Sequence, residues 1–174
     1  MQSFHLVPHP KEPLPAGFSI NVEATRTTPA LLTLVFILQG PVETVLWPPP
    51  ARLVRQDGLW RTTCLEAFFA APGQPDYLEL NLSPTHAWAA YAFSGYRHGM
   101  RDAGLAAPII ETASTQARLR LQATMPLAGL TPFTHVAPTA VIETRTGAKF
   151  YWALAHDKDT PDFHTLAGMA PLPK

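Results

Sequence analysis

Nineteen prolines spread over 174 residues constrain this chain more than any other feature. They are about twice the usual share of ~5%. A proline in a helix interior removes a backbone donor and clashes with the preceding turn, so long helices are hard to build here. The segments between the prolines are short, apolar and often alternating, which is the pattern of strands.

Residues 18–22 alternate apolar and polar side chains, and residues 31–38 form a continuous apolar run suited to a central strand covered on both faces. Residues 65–69 read as the next strand. Along residues 77–82, Leu78, Leu80 and Leu82 point one way and Tyr77, Glu79 and Asn81 the other. Ser83-Pro84-Thr85 is a turn signal, and residues 88–93 return as the second arm of a hairpin. Residues 95–108 show no period and read as a long loop. Strands follow at 109–113 and 117–123, and a short helical turn at 126–133. A hairpin over 136–143 and 150–154 turns at Thr146-Gly147. The proline-rich stretch 7–15 reads as a segment lying along an edge. Pro48-Pro49-Pro50 ends regular structure, and the tail from His156 reads as loop. The expectation is an all-β, two-sheet antiparallel β-sandwich of about nine strands, forming one domain over residues 1–174.

Hydrophobic residues make up 47% of the chain and charged residues 15%, which points to a packed core rather than disorder. Thirteen basic residues balance thirteen acidic ones, and no basic run is present to track phosphates, so nucleic acid is not an expected partner. The single cysteine, Cys64, excludes an intramolecular disulfide and the usual multi-cysteine zinc sites. The apolar run at 31–38 is too short to span a bilayer, which takes roughly 20 residues. The first residues have neither a basic nor an apolar signal region, so no membrane association and a cytoplasmic location are expected. GxSxG, P-loop and GxGxxG patterns are absent.

Three blocks carry a family likeness. The first is Leu59-Trp60-Arg61-Thr62-Thr63-Cys64-Leu65-Glu66-Ala67-Phe68-Phe69. The second is Tyr77-Leu78-Glu79-Leu80-Asn81-Leu82-Ser83-Pro84, followed by Trp88-Ala89-Ala90-Tyr91 and Tyr96-Arg97-His98-Gly99-Met100. The third is Tyr151-Trp152-Ala153-Leu154-Ala155-His156, then Pro161-Asp162-Phe163-His164. Together they resemble a bacterial group of DOMON-like proteins, related in fold to the family 9 carbohydrate-binding modules. The resemblance spans nearly the whole chain. It implies a sandwich that binds sugar or haem on a concave face, with Trp60 at the position of a ring that stacks on sugar. Fold alone does not choose the ligand.

The residues themselves offer several sites. Strand alternation puts Glu66, Tyr77, Glu79 and Asn81 on the face opposite the leucines. Carboxyls, an amide and aromatic rings on one face suit a sugar. The same pattern also fits an ordinary solvated face on which Glu66 pairs with an arginine. Trp60, Trp88 and Trp152 are stacking candidates: Trp152 sits in an apolar strand and reads as core, Trp60 at a loop-to-strand junction reads as site, and Trp88 fits either. Arg97 would orient a ligand with its fork of donors, or pair with Glu66 or Glu79. His98 and Met100 are a pair of haem-ligand types. His156, Asp162 and His164 are metal-ligand types clustered in the tail. Cys64 reads as an inert buried thiol. The expected function is a non-catalytic module for a sugar or other small polar ligand, using Trp60, Glu66, Tyr77, Glu79, Asn81, Trp88 and Arg97, with no cofactor. The alternatives are metal or haem binding, a protein partner, and a hydrolase using Glu66 and Glu79 as acid and base.

Overall fold

The protein is described here by a computed structural model covering residues 1–11, 17–49, 52–130 and 132–174. It is all-β, with strands joined by turns and short 3₁₀ segments. In chain order the first strands are β1 (Gln2–Pro8), β2 (Ser19–Thr28), β3 (Leu31–Gln39) and β4 (Val54–Arg55). Next come β5 (Cys64–Ala70), β6 (Tyr77–Leu82), β7 (Ala87–Phe93) and β8 (Arg101–Asp102). The last are β9 (Ile109–Ser114), β10 (Arg118–Pro126), β11 (His135–Glu143), β12 (Lys149–Ala153) and β13 (Ala170–Pro171).

Eleven of these strands form one hydrogen-bonded path, β4-β7-β6-β5-β11-β12-β1-β2-β3-β10-β9, with β13 beside β11 and β8 beside β7. This corrects the expected strand count of about nine and the separation into two sheets. The cause of continuity is β1. Residues 2–6 pair with β2, and Val7 and Pro8 then pair with Ala153 and Trp152 of β12, so one strand stitches two halves into a single curled ladder. The extra strands are mostly two-residue pieces, too short to show any period in sequence.

The two halves face each other across the main core. Leu6, Ile20, Val22, Phe36 and Leu121 come from one half, and Leu65, Phe69, Leu80, Ala140 and Trp152 from the other. Strand β3 lies between β2 and β10 and is almost wholly buried, as its apolar run predicts.

Residues 95–108 are more ordered than the loop expected there. Gly95 and His98 close a tight turn, and β8 pairs with β7. Gly99 has φ +68°, a left-handed backbone that side-chain-bearing residues rarely adopt, and a Cβ there would press on the Ser94 side chain, so glycine suits this turn. The tail after His156 is also built: Phe163–Thr165 is a 3₁₀ turn, and β13 pairs with β11. The expected helical turn at 126–133 is the 3₁₀ segment Leu127–Leu130. Residues 12–15 of the proline-rich stretch and Pro50 lie outside the described residues.

Candidate functional site

Paired residues on neighbouring strands share a face, so register decides which side chains meet. On the outward face of β5 and β6, Glu66 stands opposite Asn81 and, across β5, opposite Thr139 of β11. Phe68 stands opposite Glu79, and Tyr77 opposite Phe93. Glu66 and Glu79 are therefore diagonal neighbours at the centre of this face.

That face is covered rather than solvated. Every residue of β5 and β6 is buried, with Glu66 at 1%, Glu79 at 5% and Asn81 at 0% exposure. The cover consists of Trp60, from the 3₁₀ turn Leu59–Arg61, and of Phe163, Leu166 and Met169 from the tail. These pack on a second apolar cluster containing Phe68, Tyr77, Tyr91 and Phe93. The reading of a solvated face with Glu66 paired to an arginine is thus overturned.

A pocket of about 350 Å³ remains between strands and cover. Glu66 and Glu79 line it together with Trp60, Phe68, Phe93, Val141, Tyr151, Phe163, Arg97, Met100, Pro161 and His164. Its size and its mix of apolar walls with a few polar groups match small-molecule sites.

The polar groups of the floor form a short chain. The Cys64 thiol donates to Asn81 Oδ1 (3.3 Å), and Asn81 Nδ2 donates to Glu79 Oε1 (2.7 Å). Glu66 Oε2 accepts from the Thr139 hydroxyl at 3.2 Å, while Glu66 Oε1 is buried with no hydrogen-bond partner among the described residues. Burial, and then the neighbouring Glu79, push the Glu66 carboxyl well above the ordinary carboxylate range, with the Thr139 hydroxyl and the Cys64 thiol pulling the other way. Burial also raises Glu79, opposed by Asn81 and by the positive charge of Arg97. Burial raises the Cys64 thiol strongly, leaving it inert.

The wall is oriented by a second chain. The Arg97 backbone N–H donates to the Tyr77 hydroxyl at 3.1 Å, and that hydroxyl lies 2.7 Å from His164 Nδ1. With its oxygen already accepting from Arg97, the Tyr77 hydroxyl can donate a hydrogen bond to Nδ1, the tautomer that sets His164 Nε2–H toward Glu79 Oε2, 3.9 Å away. Burial lowers the His164 pKa to about 4, with the Arg97 charge acting in the same direction, so the ring is neutral.

At the rim, Arg97 holds a left-handed backbone (φ 52°), a conformation that non-glycine residues keep only when the surroundings enforce it. Its guanidinium bonds Asp162 at 2.9 Å. Asp162 also accepts from Lys158 Nζ (2.9 Å), the His164 backbone N–H (3.1 Å) and the Tyr96 hydroxyl. Although burial acts to raise Asp162, these donors win and hold its carboxyl far below the usual range. The cluster fastens the tail to the 95–98 turn beside the pocket.

The structure brings four of the expected ligand-binding residues, Trp60, Glu66, Glu79 and Arg97, to one pocket, with Tyr77 and Asn81 bonded directly behind it. Trp88 goes elsewhere. It pairs with Leu82 and so shares the leucine face, where it is buried in the main core. Arg97 pairs with Asp162 rather than with Glu66 or Glu79. The histidines and aspartate of the tail do not converge: His156 Nε2 bonds the Val7 carbonyl (3.0 Å), Asp162 serves the cluster above, and His164 serves Tyr77. Among the described residues no group of three or more His, Cys, Asp or Glu is placed to hold a metal ion. His98 is exposed and bonds Ser94 Oγ at 3.2 Å, whereas Met100 lines the pocket. Among the described residues no helix is long and apolar enough to cross a membrane.

Sequence reasoning did not pick out Phe68, Phe93, Tyr151 or Phe163. Phe68 was open to discovery, because it alternates in phase with Glu66, and Phe93 because the hairpin register pairs it with Tyr77. Phe163 leaves no such signal, since a tail residue reveals its position only once the tail is placed.

No family model matches the chain, and no curated protein matches it. A solved structure does: a "putative carbohydrate-binding protein" from Bacteroides uniformis superposes with a TM-score of 0.69 at 12% identity, over 99% of this chain and 85% of that one. At that identity the likeness speaks for the fold.

Proposed function

We propose that the protein is a non-catalytic ligand-binding module that takes a sugar or similar small polar molecule in the pocket over β5 and β6. The observation that carries this is the floor itself. Two buried carboxyls, one with an oxygen that has no hydrogen-bond partner among the described residues, lie beneath a ring of aromatic side chains. Unsatisfied buried acceptors are costly unless something completes them, and hydroxyl donors of a sugar would do so while its C–H faces lie on Trp60, Phe93 or Phe163. The likeness to the Bacteroides uniformis protein, and the resemblance of the sequence blocks to DOMON-like and family 9 modules, support the same class of ligand. In this reading the facing halves of the ladder act as a sandwich, with the pocket on the outside of one half.

The test is thermal melting of the protein across a panel of sugars and cell-wall fragments. A ligand at a hundred times its dissociation constant adds about 2.7 kcal/mol of stability, a shift that melting resolves. Trp60 is half-buried and packs edge-on against Tyr91, with ring centroids 5.5 Å apart. The Trp60→Ala variant is therefore expected to stay folded and to lose at least about 1–3 kcal/mol of binding, as removal of a stacking ring does. Undiminished affinity in Trp60→Ala, or no melting shift with any sugar, would count against the proposal.

A further inference from the structure

We infer that the group recognised at the pocket floor is a protonated amine, held between Glu66 and Glu79, so that the favoured ligand is an amino sugar rather than a neutral one. This rests on the reading of the pocket as a sugar site and adds the charge of the ligand.

The pocket floor carries an imbalance of charge. Two carboxyls sit side by side on the floor, and among the described residues no cation hydrogen-bonds either of them, the Arg97 charge acting on Glu79 without a bond. Arg97 Nη2 is bonded to Asp162, and Lys158 is bonded to the same carboxylate. His164, the one basic side chain lining the pocket besides Arg97, is neutral and only approaches Glu79, at 3.9 Å. The other titratable neighbours, Cys64 and Tyr77, are neutral acids and add no positive charge. A buried like-charged pair cannot ionise fully without a counter-charge. An ammonium supplies it, and its donors match Glu66 Oε1, which has no hydrogen-bond partner among the described residues, and Glu79 Oε2, which His164 Nε2 approaches only to 3.9 Å.

The walls favour the same group. Phe68, Phe93 and Phe163 line the pocket around the carboxyls. Aromatic faces attract cations, most strongly where water is excluded. A carboxylate or phosphate ligand would instead meet two acids on the floor.

The proposal has a proton signature. Burial raises both carboxyls and a neighbouring ammonium lowers them, so binding an amine shifts their proton occupancy toward release. A neutral sugar leaves the carboxyl protonation as it was and releases none.

Isothermal titration of the intact protein with glucosamine, glucose, N-acetylglucosamine and cyclohexylamine tests this, in two buffers of different ionisation enthalpy. Glucosamine is expected to bind about tenfold or more tightly than glucose and N-acetylglucosamine, with proton release. Glu66→Gln should abolish that preference and the proton release. Glu79→Gln serves as the second variant should the first not fold. Equal affinity for glucosamine and glucose overturns the amine and leaves the sugar reading standing. Cyclohexylamine binding as tightly as glucosamine keeps the amine and removes the sugar. No binding by any of the four overturns the amine and leaves the sugar reading to the wider melting panel.

Discussion

Two outward faces of the curled ladder carry nearly the same polar motif. On β9 and β10, Arg120 bonds Gln122 (2.6 Å) and Gln122 bonds the Glu111 carboxylate (2.8 Å). On β5 and β6, Cys64 bonds Asn81, and Asn81 bonds the Glu79 carboxylate. Each is a carboxyl, an amide and a third group across paired strands. The first lies open, with Glu111 exposed and its partners half-buried. The second is closed over by Trp60 and the tail. Alternation along a strand establishes which side chains share a face, whereas what covers the face decides whether its charges are solvated, and so whether they are ordinary or chemically tense.

The largest effect expected from this contrast is on packing. Phe68 is an outward residue that is only 2% exposed, and its ring meets Tyr77, Phe163 and His164. Phe68→Ala should destabilise the protein by about 3–5 kcal/mol, the range for a fully buried aromatic, read by urea denaturation. A cost near zero would mean that the tail does not seal this face in solution.

The covered face should also leave a mark on the dependence of stability on pH. Glu66 is raised in the folded protein above its ordinary 4.5. As pH climbs past that value the unfolded chain ionises first, so the folded state loses stability until its own carboxyl ionises. His164 works in the opposite sense. Its folded pKa of about 4 lies below the ordinary 6.5, so its contribution is complete above pH 6.5 and is lost as pH falls toward 4. Glu66→Gln should therefore stabilise the protein at pH 8 by about 1–3 kcal/mol, the desolvation cost removed, and change little at pH 4. A loss of stability at pH 8 would show that Glu66 is held as a satisfied carboxylate.

Much of this contrast was legible in the chain, and its limits have a physical cause. Period-two alternation put Glu66, Tyr77, Glu79 and Asn81 on one face, and hairpin spacing was enough to pair β6 with β7. The same register assigns Trp88 to the leucine side, because it pairs with Leu82. Coverage was not legible. It depends on residues 158–169, whose contacts run back to Tyr96 and Arg97, more than sixty positions earlier. No local pattern encodes a contact at that separation. The curling of the ladder was hidden for a similar reason, since β1 changes partners between Leu6 and Val7 with no break in its sequence.

The smallest effect is the sharpest control on the comparison. Gln122→Ala removes the amide between Arg120 and Glu111 on the open face. Water can replace each lost bond, and surface changes of this kind usually stay within about 0.5 kcal/mol. The corresponding loss on the covered face, Asn81→Ala, strands Glu79 Oε1 where water replaces nothing readily, and belongs to the range of about 1–3 kcal/mol for an unsatisfied buried group. Urea denaturation of the two variants side by side measures the difference that cover makes to one motif. Equal costs would mean that both faces are equally wet, and that the cover over β5 and β6 makes no difference to the motif beneath it.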